Sequence, residues 1–447
     1  MIISVVLPLF FEMVDRRLGV TKKLVFLVAM LWQVGVLAEL RIDITQGVES
    51  AIPIAVVPFA QSAQGTSAEP GIDQLVTADL QRSGWFALTP VESMLNRPYK
   101  SEDVDYRDWR LLGAEAVLIG QVEMVAPDRF DVRFELLDAV KQQRLAGARY
   151  SSVAKSEMRR LAHVIADQVF RQLTGIDGIF STRIAYVTTT NGRHELQVAD
   201  IDGYNPVGVL TSPEPIMSPS WSANGRELAY VAFDQGRPAV FVQELSTGKR
   251  RKVAQFRGIN GAPSWSPNGQ ELALTLSKDG SPDIYIMQLA TGKLTRLTDH
   301  YAIDTEPAWS PDGQQLYFTS DRGGKPQIYR ISRHGGATTR VTINMGKYNA
   351  DASVSPDGKY LAVVNNSGQN GYQIGLVDLQ ASQLTPLSSG RLDESPSFSP
   401  NGRLIIYTRT QANSESLAVV SIDAKVRQQL ALQQAKVREP AWSPFSQ

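Results

Sequence analysis

From about residue 183 to the C-terminus, apolar residues alternate with polar ones in short runs, cut by glycine, proline, asparagine and aspartate. Alternation with a period of two marks half-buried strands. The runs also repeat. SPSWSANGRELAYVA (218–232), APSWSPNGQELALTL (262–276), EPAWSPDGQQLYFTS (306–320), DASVSPDGKYLAVVN (351–365) and SPSFSPNGRLIIYTR (395–409) follow one pattern, and EPAWSPFSQ (439–447) begins it again. The apolar anchors are Trp221, Trp265, Trp309, Val354, Phe398 and Trp442, spaced by 44, 44, 45, 44 and 44 residues. A fixed period of this length means one supersecondary unit stacked on itself.

Each unit predicts four short strands. The anchor lies on the first. A Ser-Pro-Asp-Gly or Ser-Pro-Asn-Gly turn follows, with proline pre-setting φ and glycine accepting a positive φ. The second strand alternates, as at Leu316 and Phe318. The third is a run such as FVQEL (241–245) or IYIMQL (284–289), and the fourth is short, as in RLT (296–298) and RVT (340–342). No helical pattern interrupts the units, so the sheet is antiparallel. A four-stranded unit of this length is a propeller blade. Six anchors have only five complete units after them. A further strand pair, RIAYVTTT (183–190) and LQVADIDG (196–203), precedes the first anchor. The economical solution is a six-bladed ring in which the strand at Trp442 becomes the innermost strand of the blade begun at Arg183. Closure of this kind removes exposed edges.

The remainder of the chain lacks the repeat. Residues 51–178 predict a small α/β domain. IPIAVVPF (52–59) and WFAL (85–88) read as strands, with a helix over 71–84 and a short one over 106–113. Three strands follow at 114–125, 129–139 and 143–152. The clearest helix is 156–175, with Ser156 as its cap, Met158, Leu161, Ile165, Val169 and Leu173 on one face, and Gly175 at its end. The fold class is thus an α/β N-terminal domain plus an all-β six-bladed propeller, 179–447, closed by the C-terminal strand.

The first 38 residues form an N-terminal extension and an export signal. Lys22 and Lys23 precede an apolar run ending in Val36-Leu37-Ala38, with cleavage expected after Ala38. The run is shorter than a membrane span. Since 20–38 is complete as a signal, Val20 competes with Met1 as the start of translation.

Composition narrows the chemistry. Lys plus Arg equals Asp plus Glu at 45 each, so no basic surface for nucleic acid stands out. Cysteine is absent, which excludes disulfides, thiolate metal sites and thiol nucleophiles. His163, His194, His300 and His334 are scattered, none at metal-ligand spacing from another. DIDG (200–203) resembles the start of a calcium loop but lacks the glutamate that completes one, and reads as a turn. No phosphate loop or nucleophile elbow occurs. One cluster stands out. Glu214, Glu306, Asp351, Glu394 and Glu439, with Asp304 and Asp393 nearby, fall just before the first strands, where all would face one mouth of the central channel. Such a funnel attracts a basic or hydrogen-bonding partner. Its carboxylates are also the donors that Ca²⁺ takes.

The order of these parts resembles the TolB family of the Tol–Pal envelope system. The resemblance rests on IDITQGVESAIPIAVVPF (42–59), LLGAEAVLIGQV (111–122), LTGIDGIFSTRIAYV (173–187), DIDGYNP (200–206), NGAPSWSPNG (260–269), DTEPAWSPDG (304–313) and LDESPSFSPNG (392–402). Ala223 and Val354 depart from the blade pattern, where proline and an aromatic are usual. The resemblance implies a monomeric, non-enzymatic adaptor of a Gram-negative periplasm without a resident cofactor. It implies binding of the lipoprotein Pal at the channel mouth, through Ile259, Ala262, Thr305, Glu306 and Glu394. It further implies binding of TolA by a mobile segment, 39–50, through Leu40, Arg41, Ile42, Asp43 and Ile44, support of outer-membrane constriction at division, and exploitation by colicins. The competing expectation is a propeller hydrolase or lyase using the funnel carboxylates.

Overall fold

The computed structural model describes residues 51–61, 71–366, 371–411, 414–430 and 436–445. The expected signal, the start at Val20 and the TolA-binding segment lie outside these residues. Among the described residues no helix is long and apolar enough to cross a membrane.

The N-terminal domain is one sheet between helices. Ile52–Val56 runs parallel to Phe86–Leu88 on one side and to Ala116–Ala126 on the other. Arg129–Asp138 and Gln143–Ala154 extend the sheet antiparallel. Alternation along the first strand sorts its residues between two cores. Ile54 and Val56 face helices α1 (Ile72–Ser83) and α3 (Met158–Thr174), while Ala55 packs with Trp109 of α2 (Tyr106–Leu111). On α3, Leu161, Ile165 and Val169 are buried and Met158 and Leu173 pack at the margin, as the periodicity predicts. Ser156 does not cap this helix. A 3₁₀ turn over Lys155–Glu157 precedes it, and the helix starts without a side-chain cap.

The propeller has six four-stranded sheets. Blade 1 orders Val437–Trp442, Arg183–Thr190, Arg193–Asp200 and Val207–Ser212 from the inside outward, so the two ends of the ring meet in one sheet. Blades 2 to 6 begin at Met217, Asn260, Asp304, Tyr348 and Leu392. The third strands start earlier than the apolar runs suggest, at Arg237 and Asp283 for example, because polar residues join the ladder as well. Apolar cores lie between neighbouring blades, as where Trp309 and Phe318 pack with Ile284. The turns after the anchors are held by side chains. In blade 4, Ser310 Oγ donates to Asp312 Oδ1 at 2.5 Å and accepts from Gln315 N at 2.9 Å. Blade 2 keeps the same bonds through Ser222 and Asn224, so Ala223 is tolerated there.

Candidate functional site in the propeller channel

The inner strand of every blade is irregular at one equivalent place. Its register with the next strand breaks between Met217 and Ser220, Gly261 and Ser264, Thr305 and Ala308, Ala350 and Ser353, Glu394 and Ser397, and Arg438 and Ala441. Within each break one non-glycine residue has left-handed backbone. These are Ser218, Ala262, Glu306, Asp351, Ser395 and Glu439, with φ of 51, 44, 53, 53, 54 and 52°. Such geometry costs an L-residue roughly 1–2 kcal/mol. Its recurrence once per blade makes it a built feature, and strain of this kind collects at functional sites. In five blades proline follows, a residue that cannot donate to the ladder and so suits a bulge.

Three of the six left-handed residues are acids, on blades 1, 4 and 5. Their carboxylates reach sideways to the next blade. Glu306 Oε2 accepts from Asp351 N at 2.9 Å and from Thr319 Oγ1 at 2.8 Å. Glu439 Oε2 accepts from Ser218 N, and Asp351 accepts from Ser395 N. Where blade 6 offers Ser395 in place of an acid, Thr408 Oγ1 accepts from Glu439 N at 2.9 Å.

The carboxylates sense one another across the channel. Burial pushes Glu439 up to about 7, and Glu394 and Glu306 add to the rise. Burial raises Asp351 well above its ordinary range, with Glu306, Glu439 and Glu394 pushing the same way. Glu306 and Glu394 are raised too, first by burial. Arg438 opposes the rise at Glu394 and Glu439, but it is itself held by Glu415 at 2.6 Å. Burial and mutual repulsion, which Arg438 only partly relieves, thus favour proton uptake by the channel acids.

These contacts sort the acids expected at the mouth. Glu306, Asp351, Glu394 and Glu439 lie within the inner strands, not ahead of them. Asp304 and Asp393 are corrections. Both are fully buried, Asp304 bonded to Arg322 at 2.7 and 2.9 Å and Asp393 to Arg409 at 3.2 Å, so they brace the blades. Glu214 is another. It sits in a loop, outside the equivalent positions, its N–H donating to Ser212 Oγ. Ala262 and Glu306 are equivalent residues of adjacent blades. Thr305 lies beside them, 3.4 Å from Thr275 of blade 3. Ile259, half-buried, enters blade 3 with its N–H donating to Ser277 Oγ.

Sequence reasoning missed a second polar cluster, at the seam between the domains. His163, Asp200 and Asp202 present atoms within 4.8 Å of one another. His163 is 37 positions or more from the two aspartates, so no spacing rule could join it to them.

Two family descriptions match the chain. The TolB beta propeller domain matches residues 170–446 and the TolB amino-terminal domain matches residues 40–145. The Tol-Pal system protein TolB of Nitrosococcus oceani is 54% identical over 434 residues, 96% of this chain and 98% of that protein. Its counterpart from Hydrogenovibrio crunogenus is 50% identical over 431 residues, 95% of this chain and 99% of that one. The crystal structure of TolB from Acinetobacter baumannii aligns with a TM-score of 0.83 at 39% identity, covering 91% of this chain and 99% of that one.

Proposed function

The chain belongs to the TolB family, a non-catalytic component of the Gram-negative Tol–Pal envelope system; from that premise we propose that it is a periplasmic adaptor holding Pal at the mouth of its propeller channel and TolA through residues 39–50. A hydrolase or lyase is set aside by the non-catalytic family. The adaptor reading rests above all on the ring of left-handed residues, acidic on three blades and small on the other three. Its acids are tied to neighbouring blades by backbone N–H groups. Such a surface suits a partner that brings backbone N–H groups or cations. The adaptor links outer and inner membrane systems through these two partners and so supports envelope integrity and constriction at division. A colicin would compete for the same mouth. Ca²⁺ is the cofactor that this set of hard oxygen donors would accept.

The Pal site is proposed at Ile259, Ala262, Thr305 and Glu306, with Glu394 across the channel. Ala262 is the smallest residue of the ring, beside Thr305. A bulky side chain there fills the space a partner would enter, and in a desolvated contact that costs a few kcal/mol. Ala262→Trp and Thr305→Arg should each weaken Pal binding at least about tenfold, roughly 1.4 kcal/mol, without moving the melting temperature. Calorimetric titration with Pal measures it. Equal binding by both variants places the site elsewhere.

The TolA site is proposed at Leu40, Arg41, Ile42, Asp43 and Ile44. Their alternation suits a strand added to a partner's sheet edge. A protein lacking 39–50 should lose TolA binding and keep Pal binding. Retained TolA binding would refute the assignment. If Pal occupancy controls release of the segment, TolA affinity changes when Pal is present, and Pal affinity changes by the same factor when TolA is present.

A further inference from the structure

Around α2 the N-terminal domain turns large apolar side chains outward. Leu95, Leu111 and Val140 are 72, 74 and 61% exposed, more than any other large apolar residue of that domain among the described residues. Single exposed apolar side chains are ordinary, but these three surround one short helix. Asn96, next to Leu95, donates to Asp108 Oδ2 of α2 at 3.1 Å. Leu111 follows Asp108 by three positions and so lies on the same side of the helix. Arg110 donates to Ala139 O at 3.1 Å, which brings Val140 to the end of the helix. Trp109 is the buried side of α2, so a polar residue is the ordinary choice at position 111.

Each of the three is held out by anchored neighbours. Met94 and Leu112, beside Leu95 and Leu111, pack against the core that holds Trp109. Asp138 Oδ1 accepts from Val140 N at 2.9 Å and from Lys141 N at 2.7 Å, which fixes the turn at Val140. Asp105 accepts from Arg107 N at 2.9 Å and caps α2. A surface presented in this way has little left to order on binding. Charge on α2 and its flanks cancels, with Asp105, Asp108 and Glu115 against Arg107, Arg110 and Lys141. An anionic membrane therefore finds no basic cluster here, and the apolar surface calls for a protein.

The patch lies where the N-terminal segment enters the fold. Ile52 N donates to Trp85 O at 2.9 Å, so the chain is fixed in the sheet from that residue onward. Glu115 N donates to Pro53 O at 3.0 Å, and Ala139 N to Glu115 O at 2.8 Å. These bonds place the start of the first strand, the approach to Ala116–Ala126 and the turn at Val140 along one end of the sheet. Two strand spacings, roughly 10 Å, separate Pro53 from Ala139. Ile44 precedes Ile52 by eight positions, a span of at most about 28 Å when fully extended. A domain of about 100 residues is itself roughly 30 Å across. A partner domain that holds residues 40–44 is thus kept beside this end of the N-terminal domain. Any contact made under that tether is intramolecular, at an effective concentration on the order of millimolar. Three apolar side chains, too few to bind a partner alone, then add to the affinity.

We propose, resting on the assignment of residues 39–50 to TolA, that Leu95, Leu111 and Val140 form a second contact for the same partner. One folded domain is held by an added strand and by an apolar surface at once. The chemistry required of it is an open sheet edge with apolar side chains beside that edge.

Calorimetric titration of TolA into the chain from Glu39 to Gln447 tests the second contact. Leu95→Ser, Leu111→Ser and Val140→Ser combined should weaken TolA binding about five- to tenfold. All three side chains are exposed, so the melting temperature and Pal binding should not move. If α2 loosens in that variant, Leu95→Ser with Val140→Ser, both off the helix, should still weaken binding about threefold. A synthetic peptide of residues 39–50 lacks the patch and should bind TolA as weakly as the triple variant. Parent affinity in the variants, or a peptide that binds as tightly as the parent, would overturn the second contact. So would a parent dimer in sedimentation velocity that the substitutions dissolve, since the patch would then belong to a second copy. Deleting 39–50 reads the premise separately. If TolA binding survives the deletion, the segment assignment falls and this contact with it. If binding is lost while the triple variant binds like the parent, only the second contact falls.

Discussion

Deleting residues 438–447 is expected to abolish cooperative unfolding and leave a protein that aggregates. Those residues carry all but the first position of the inner strand of blade 1. Their loss turns Arg183–Thr190 into an open edge, a template for pairing between chains. It empties the core in which Trp442 packs against Ile184, Tyr186 and Val419. Removing one buried tryptophan side chain costs about 3–5 kcal/mol. Blade 2 and the rest of blade 1 lose hydrogen-bond partners too. Trp221 Nε1 donates to Ala441 O at 3.0 Å, Ser218 N to Glu439, and Arg183 N to Ser443 Oγ at 2.9 Å. A single domain has about 5–15 kcal/mol in total. The combined loss is of that size, so a partly molten ring should result. Scanning calorimetry and light scattering of the truncated chain check it. A sharp melt at the temperature of the intact chain would show that the ring does not depend on this closure.

Repeat geometry was legible because it is written at long period. The anchors at 44 or 45 residues, and the mismatch between anchors and complete units, lead to six blades and their closure without any structural input. The channel was legible only in part. Acids close in sequence to the anchors all looked alike, yet two residues decide their fate. Asp304 is two positions before Glu306 and faces the blade interior, where Arg322 meets it; Glu306 sits on the bulge and faces the channel. The signal was present in the dipeptides. Proline two positions before the anchor, as at Pro219, Pro263, Pro307, Pro396 and Pro440, marks the bulge, and the residue before it is the one turned left-handed. The domain seam was not legible. Asp79 and His163 meet because α1 packs on α3, and Asp202 joins them only through the docking of the domains, neither of which local patterning encodes.

Acids from this one stretch should therefore give opposite results on mutation. Arg322→Met leaves Asp304, wholly buried, without its cation. Breaking one side of a buried ion pair costs about 3–5 kcal/mol, so the variant should melt well below the parent at neutral pH. Neutralising a channel acid should do the reverse. Glu439 is pushed from an ordinary 4.5 up to about 7, so the native ring binds its proton more tightly than the unfolded chain does. A raised carboxyl lends stability at low pH and loses it as pH rises through about 4.5 to 7. Glu439→Gln keeps an oxygen for Ser218 N and removes the charge. At about pH 8 it should gain roughly 1 kcal/mol, a rise of about 2–4 °C, and at about pH 5 it should match the parent. Thermal melts of both variants across this range decide between the two roles. If Ca²⁺ occupies the mouth, adding it should raise the parent's melting temperature at about pH 8 and leave Glu439→Gln less affected, because the ion and the substitution relieve the same repulsion. A destabilised Glu439→Gln, or an Arg322→Met that melts with the parent, would mean that the channel and the blade interior have been assigned the wrong way round.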